Sequence, residues 1–430
     1  MIAEFAAADG GTAPLTWGQR AIWDAIAVTA PDDHYFNFGR VLKVPGTRSP
    51  TDVLAALAGL QALHGALRTR LDLGGEQPRQ RTERAGGLPV RLATGDPEAV
   101  LAELEAERFD YERDWPLRVA LILDGARVSH VVVAFCHLAT DGLGAEIALR
   151  DLRMLLLRGA PAGGPPPRGP LELARWQDGP EGRRTAERAA ALWAGTAREV
   201  MFDRPSGGAD QPRIWRGLLD SPAAGLAVRA VAARHGTSTS TVLLAATAAV
   251  VGRFSDRESC AMLPIVNNRF RRDTARMVTT LSQEGLFVVG VDRDFGGLLR
   301  ETEPAALRAY RSAFHDPRDR TRGQWAQPLC CFNDMRFAEP GPLPCAPADI
   351  LAALPRTELS WPLSQEQLNC RFCVHVSGAL EISVTADTAY LPRADIERVL
   401  LGLESLLLAE AGAVPRSGSG SGPGPSPGPG

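Results

Sequence analysis

The chain has 430 residues, of which 45% are hydrophobic, and it can therefore bury a large core. Its 47 basic and 50 acidic residues are mixed along the whole length and leave a net charge of -3, which gives little electrostatic basis for binding nucleic acid. The N-terminus lacks the features of a secretory signal, and no apolar run approaches the roughly 20 residues that span a membrane. We therefore expect a cytoplasmic protein without nucleic-acid or membrane partners.

The seven cysteines are an odd number scattered through a long chain, which favours reduced thiols over a disulfide framework. Cys370 and Cys373 form a C-x-x-C pattern inside an extended-looking run. Their odd spacing places the two side chains on opposite faces of a strand. The sequence therefore predicts no metal site at this pair.

Helical and strand patterns alternate along the chain, which predicts an α/β or α+β fold. Ser49 and Pro50 are suited to the cap and first position of an amphipathic helix over residues 52–67. Residues 128–135 are mostly apolar and β-branched and predict a buried strand. That strand runs directly into the segment 136–142, and a helical stripe follows from Gly144 onward.

A proline-rich stretch at residues 161–170 is unsuited to regular structure and marks the predicted boundary between two lobes. We predict an N-terminal lobe over 1–170, a C-terminal lobe over 171–415 and a flexible Gly/Ser/Pro linker over 416–430. The second lobe should contain helices, a short strand and a hairpin. The predicted helices are 175–193, 226–235 ending at Gly236, a helix capped by Thr239 or Ser240 that runs through Val250, and 394–411; the strand is 261–266 and the hairpin 371–376 with 379–385.

His137 leaves the end of the predicted strand and is followed by Asp141-Gly142 at a helix start. Gly142 would let the backbone turn and approach a ligand, and Asp141 could cap the helix or hold an arginine. Such an arrangement exposes an imidazole at a cleft. On the residues alone, two interpretations stay open: a catalytic histidine, or a histidine that only completes a turn beside a capped helix.

Several segments, in order, resemble the condensation domains of nonribosomal peptide synthetases, which belong to the chloramphenicol-acetyltransferase-like superfamily. The resemblance extends from about Leu15 to Ala411. It is carried by LTWGQRAIW at 15–23, HGALRTR at 64–70, FD at 109–110 with WPLR at 115–118, CHLATDG at 136–142, LARWQ at 173–177, and the region 266–281.

The resemblance implies two chloramphenicol-acetyltransferase-like lobes arranged as a pseudo-dimer with a tunnel between them. Donor and acceptor peptidyl carrier proteins would deliver substrates on phosphopantetheine arms from opposite faces, beside possible neighbouring synthetase domains. His137 would be the catalytic histidine, and Gly142 would lie near the reacting centre. Asp141 would be a structural aspartate, with Arg269 as its candidate partner. No permanent cofactor or metal is implied.

The sequence departs from the family pattern at three places. Cys136 replaces the first histidine of the usual H-H-x-x-x-D-G motif, Asn268-Arg269 stands for G-R, and VTTL at 278–281 stands for V-N-T-L. Since neighbouring strand residues face opposite ways, Cys136 should point away from the cleft if His137 points into it. It is then either a small buried hydrophobic residue or a reactive thiol.

The expected function is formation of an amide bond between a carrier-bound acyl or peptidyl thioester and a carrier-bound amine. Two alternatives stay open: an ester-forming or free-acceptor acyltransferase of the same fold, and a non-catalytic domain that recruits a tailoring enzyme. The sequence does not identify the donor or acceptor.

Overall fold

The computed structural model describes residues 1–160, 168–194, 200–322, 328–336, 340–369 and 371–413. Within these ranges the chain is a mixed α/β protein built on two large sheets, in agreement with the predicted fold class. Most of the proline-rich stretch, Cys370 and the linker predicted over 416–430 lie outside the described residues.

The first part of the chain supplies the elements of one large sheet and of a small one. These are β1 (Ile2–Ala6), β2 (Gly11–Pro14), α1 (Trp17–Thr29), β3 (Phe38–Lys43), α2 (Pro50–Leu63), β4 (Thr69–Asp72), β5 (Arg79–Thr82), β6 (Ala85–Ala93), α3 (Pro97–Ala106), β7 (Leu117–Asp124), β8 (Arg127–Phe135) and α4 (Gly142–Arg158), with 3-10 turns at Asp32–Phe36 and Gly65–Arg68.

The second part supplies the other large sheet and the helices around it. These are α5 (Pro170–Asp178), α6 (Pro180–Ala194), β9 (Ile214–Asp220), α7 (Pro222–His235), α8 (Thr239–Phe254), β10 (Ser259–Val266), β11 (Gln283–Glu284), β12 (Phe287–Gly290), α9 (Phe295–Ser312), α10 (Pro317–Arg322), β13 (Cys330–Asp334), α11 (Pro347–Ala353), β14 (Glu358–Gln365), β15 (Phe372–Ser377), β16 (Glu381–Asp387) and α12 (Arg393–Glu410), with a 3-10 turn at Leu354–Arg356.

Helix ends follow the predicted caps in part. The Ser49 hydroxyl accepts a hydrogen bond from the Asp52 N–H at the start of α2, but this helix ends at Leu63 because His64 turns to an extended conformation. Gly236, with φ +64°, ends α7 as predicted. Two predictions were wrong. The cap of α8 is Ser238 rather than Thr239 or Ser240, and the helix predicted over 175–193 is divided by Gly179 into α5 and α6.

The two large sheets are assembled from separate parts of the chain. The first has the strand order β1-β6-β7-β8-β3 and draws on residues before 136, whereas the second has the order β11-β10-β13-β15-β16-β9-β14, with β12 also paired to β10. A small sheet, β2-β5-β4, lies with the first part. Helices α2 and α4 contribute to the core of the first sheet, and α7, α8, α9 and α12 to that of the second.

The two parts are packed tightly against each other near residue 280. Gly18 of α1 approaches so closely that a Cβ added there would lie 2.1 Å from the carbonyl oxygen of Thr280. The Trp17 N–H also donates to the Gln177 side-chain oxygen at 3.0 Å. Helix α1 is therefore wedged against segments of the second half of the chain.

Cys331 and Cys373 correct the expectation that the cysteines are all reduced. They lie directly opposite each other on the paired strands β13 and β15, with Cα atoms 4.6 Å apart, and are joined by a disulfide. Their separation of 42 residues hides this pairing from a reading of local spacing.

The close packing of α1 predicts that Gly18→Ala destabilises the protein by about 1–3 kcal/mol, because the added methyl group meets a backbone oxygen that has no room to move. Thermal and urea unfolding measure the effect. The matched control is Gly402→Ala in α12, where the nearest heavy atom to the new Cβ is the Val250 side chain at an ordinary 3.8 Å. The control should be neutral or stabilising by up to about 1 kcal/mol, and equal effects of the two substitutions would contradict the prediction.

Candidate active site

Strand β8 ends at Phe135, and Cys136 and His137 begin the loop that leads to helix α4. Cys136 turns into an apolar cluster with Leu15, Leu71 and Phe109 and is only 3% exposed. Burial raises the pKa of the Cys136 thiol to about 12. A thiol in this environment stays protonated at neutral pH, which favours the interpretation of Cys136 as a small buried hydrophobic residue.

The His137 side chain is partly exposed, whereas its Nδ1 atom is buried without a hydrogen-bond partner. The Phe38 ring, at the start of β3, lies against the imidazole with ring centroids 5.4 Å apart. On the backbone side, the Thr280 hydroxyl donates to the His137 carbonyl oxygen. His137 is thus contacted from both halves of the chain, at its ring by Phe38 and at its backbone by Thr280.

Burial lowers the pKa of His137 below its ordinary value of 6.5, although nearby backbone groups and the Asp141 charge act in the opposite direction. The ring is therefore neutral at pH 7. A neutral imidazole can accept a hydrogen bond or a proton from a reacting group through a ring nitrogen that is accessible, and the buried Nδ1 atom is not that nitrogen.

Asp141 does not contact the imidazole through any hydrogen bond that the structure shows; its carboxylate serves the surrounding backbone. One carboxylate oxygen accepts from the Gly144 N–H at 2.8 Å and so caps helix α4. The other accepts from the N–H groups of Leu281 and Ser282 and from the Ser282 hydroxyl, each at 2.9 Å. These contacts connect the His137 loop to residues 281–282.

Arg269 forms an ion pair with Asp141, with two nitrogen-oxygen distances of 2.8 Å. Both side chains are almost fully buried. The remaining guanidinium hydrogens are directed to backbone oxygens, among them the Thr279 carbonyl at 2.9 Å and the Met277 carbonyl at 3.2 Å. The structure therefore brings together the two residues that the sequence suggested as partners.

Burial alone would raise the pKa of Asp141, but the Arg269 guanidinium and the N–H groups of Leu281 and Gly144 hold it below its ordinary value. The carboxylate therefore stays ionised at neutral pH. A buried charge with this many donors is fully compensated, as a buried ion pair requires.

Gly142 is the first residue of α4, and its backbone does not adopt the left-handed conformation that would demand glycine. The constrained glycine is instead Gly144, where an added Cβ would lie 2.1 Å from the Thr140 hydroxyl and 3.0 Å from an Arg269 nitrogen. Sequence reasoning treated Gly144 only as the beginning of a helical stripe.

Four contributors to the site were not identified from the sequence: Phe38, Gly144, Thr280 and Ser282. Thr280 lies in the VTTL segment that resembles a family motif, so the sequence pointed to this segment but did not indicate what Thr280 contacts. Phe38 carried none, because its contact with His137 depends on the pairing of β3 with β8.

Within the described ranges, no group of three or more His, Cys, Asp or Glu side chains is arranged to hold a metal ion. Among the helices of those same ranges, none combines the length and apolar character needed to cross a bilayer.

The family model of the condensation domain matches residues 10–288. Among curated proteins, the chain is 28% identical over 261 residues to the "Probable non-canonical nonribosomal peptide synthetase (NRPS) CymA" of Salinispora arenicola, a match that covers 56% of this chain and 3% of that protein. It is 25% identical over 326 residues to the phosphinothricin tripeptide synthetase PhsC of Streptomyces viridochromogenes, covering 70% of this chain and 30% of that protein. The chain thus spans only a small part of these relatives.

Among solved structures, the fold is similar to that reported under "Molecular basis for condensation domain-mediated chain release from the enacyloxin polyketide synthase". The TM-score is 0.75 at 18% identity, and the match covers 98% of this chain and 86% of the other. At this level of identity the likeness concerns the fold.

Because the Asp141–Arg269 pair is buried, we expect Arg269→Ala to destabilise the protein by about 3–5 kcal/mol, as it leaves an uncompensated charge. Thermal and urea unfolding measure the loss. The loss should be largest at neutral pH and shrink on acidification, because burial raises the pKa of the unpaired Asp141 in the variant and lets it take up a proton.

The matched control is Arg91→Ala, which removes an exposed pair with Glu103 and should change stability by less than about 1 kcal/mol. A loss for Arg269→Ala no greater than that of the control would show that the buried pair does not stabilise the fold.

Proposed function

The chain belongs to the condensation-domain family, and from this membership we propose that it forms an amide bond between a carrier-bound acyl or peptidyl thioester and a carrier-bound amine. The observation that carries the proposal is a neutral, partly exposed imidazole on a loop that is hydrogen-bonded to residues 280–282 of the second half of the chain. Peptide-bond-forming acyl transfer is the general activity of the family.

The substrates in this proposal arrive on phosphopantetheine arms of a donor and an acceptor carrier protein, through opposite ends of a tunnel between the two lobes. Thioesters and amines react readily once they are held together, so positioning supplies much of the rate. In this proposal each half of the chain supplies one wall of the reaction space, which is supported by the assembly of the two large sheets from separate parts of the chain.

His137 acts as the proton acceptor. The amine nitrogen attacks the thioester carbon, the C–N bond forms and the C–S bond breaks. The proton lost by the nitrogen passes to the imidazole and then to the departing thiolate of the donor arm, so the imidazole ends neutral as it began. Neutral imidazole at the start of the cycle is the form that this step requires.

The negative charge that develops on the carbonyl oxygen needs donors nearby. Gly142 opens helix α4, whose N-terminus has the positive end of the helix dipole, and its N–H group is a candidate donor. Asp141 and Arg269 serve as structural supports of this loop: the carboxylate caps α4 and the guanidinium fixes the carboxylate. Cys136 is turned away from the reaction and has no part in it.

We expect His137→Ala to lower turnover by about 10²- to 10⁴-fold while the protein remains folded, because the substitution removes the proton acceptor and leaves the ion pair intact. The measurement is mass spectrometry of product formed from two loaded carrier proteins. His130→Ala is the matched control, since this partly exposed histidine lies on β8 seven residues before the site. Undiminished turnover of the His137 variant would refute the assignment.

The lowered pKa of His137 predicts the shape of the pH profile. Because the reactive form is neutral imidazole, kcat should fall on acidification with an apparent pKa below 6.5 and stay level from there to neutral pH. Stopped assays across pH 4–8, a range set by the ordinary pKa of histidine near 6.5, measure it. An acidic limb above 6.5 would place the titrating group elsewhere.

A second candidate function is acyl transfer from a carrier to a soluble amine or alcohol. The similar structure reported for the enacyloxin polyketide synthase concerns chain release mediated by a condensation domain, which motivates this alternative. Incubation with one loaded carrier and a free amine or alcohol separates the two reactions. A non-catalytic recruiting domain is the third candidate, and capture of a tailoring enzyme without any transfer activity would favour it.

A further inference from the structure

The second sheet has two faces of different character. One face is packed by helices and includes Phe372, Val374, Ile382 and Val384. Residues of the opposite face alternate with these along the strands. That opposite face carries a polar row formed by Asn333, His375 and Ser383, which are paired in register across β13, β15 and β16.

This polar row is next to a second row on the same face, in which Thr385 pairs with Arg216 of β9. The Arg216 guanidinium donates to the Thr385 hydroxyl at 2.9 Å and to the Tyr35 hydroxyl at 2.8 Å. Tyr35 belongs to the first half of the chain. The polar face of the second sheet is therefore turned toward the first half.

Two connections link this sheet to the segments that contact His137 and Asp141. Tyr35 lies three residues before Phe38, a reach of at most about 11 Å, and Phe38 contacts the His137 ring. Strand β10, two strands away from β15, ends at Val266, and Arg269 follows directly to pair with Asp141. The sheet that contains His375 is thus linked to the His137 loop at two points, through Tyr35 and Phe38 and through Arg269.

His375 has no role in the mechanism proposed above, yet its imidazole has a buried nitrogen without a partner and a strongly lowered pKa. The side chain is partly exposed, and its Nδ1 atom is buried without a hydrogen-bond partner. Burial, assisted by the Arg216 charge, lowers the pKa of His375 to about 3. The imidazole is therefore neutral and offers one N–H donor and one acceptor.

We propose that His375, together with Ser383 and the nearby Arg216, positions the acceptor substrate by binding the carbonyl oxygen of its acyl group. A neutral imidazole N–H and a hydroxyl are donors suited to such an oxygen, and the positive guanidinium favours the same partial negative charge. This inference rests on the proposed amide-forming function and adds a second positioning residue from the opposite wall.

The acyl oxygen belongs to a thioester on a carrier-bound acceptor and to a carboxylate on a free amino acid. Both are oxygen acceptors of hydrogen bonds. Arg216 favours the carboxylate more strongly, because a carboxylate has a full negative charge and a thioester oxygen only a partial one. Comparing the two forms of acceptor separates these sources.

The test uses the full chain and its variants His375→Ala, His375→Gln and Ser383→Ala, with His130→Ala as the matched histidine control. With the donor carrier saturating, His375→Ala should raise KM for the loaded acceptor carrier roughly 3- to 10-fold and change kcat little, as expected for loss of one neutral hydrogen bond. His375→Gln, which retains an N–H donor, should recover most of the loss. KM for the donor carrier should stay as in the wild type.

A binding measurement separates failure of this inference from failure of the proposed function. Calorimetric titration of a panel of unreactive aminoacyl-pantetheine amides should show weaker binding to His375→Ala and unchanged binding to the His130→Ala control, whatever the turnover. If His375→Ala binds the panel as the wild type does, or raises KM for the donor instead, the positioning role is overturned. A melting temperature equal to that of the His130 control shows that the fold is not the cause.

Discussion

The ion pair between Asp141 and Arg269 is the interaction on which the active-site geometry depends. It joins a loop of the first sheet to the segment that follows β10 in the second. Two buried apolar residues would fill the same volume, yet they would leave the helix cap at Gly144 and the N–H groups of Leu281 and Ser282 without an acceptor. The pair thus combines compensation of charge with satisfaction of the backbone, which accounts for an ionised carboxylate in an environment that otherwise disfavours one.

The same low-polarity surroundings act in opposite directions on the neighbouring groups. At His137 and His375, burial disfavours the cation and leaves a neutral ring, whereas at Cys136 it disfavours the thiolate. At Asp141 the Arg269 guanidinium reverses the effect. The interior therefore offers hydrogen-bonding groups without free charge, a setting in which a neutral amine can be accepted and a proton moved.

Features set by neighbouring residues were predictable from the sequence. The Ser49 cap, the end of α7 at Gly236 and the strand that precedes His137 depend on local backbone preferences. The family resemblance identified Arg269 as the candidate partner of Asp141 because the order of motifs carries information about contacts across 128 residues. This information comes from the resemblance to the family rather than from the residues next to Asp141 or Arg269.

Features set by the pairing of distant strands were not predictable. The bridge between Cys331 and Cys373, the contact of Phe38 with His137 and the common face of His375 and Ser383 each require the register of a particular strand pair. Close approaches have the same origin. Gly18 is constrained by the Thr280 backbone and Gly144 by Thr140 and Arg269, whereas Gly142, which the sequence singled out, has no left-handed backbone.

The division of the Asp141 contacts between two halves of the chain has a consequence for the design of hybrid enzymes. A chimera that takes residues 1–170 from this chain and the remainder from a distant relative would receive the carboxylate from one parent and all its donors except Gly144 from the other. A crossover in the proline-rich stretch at residues 161–170 would separate Asp141 from Arg269, Leu281 and Ser282. Transplanting residues 267–282 together with residues 1–170 would keep Asp141 and its hydrogen-bond donors from the same parent.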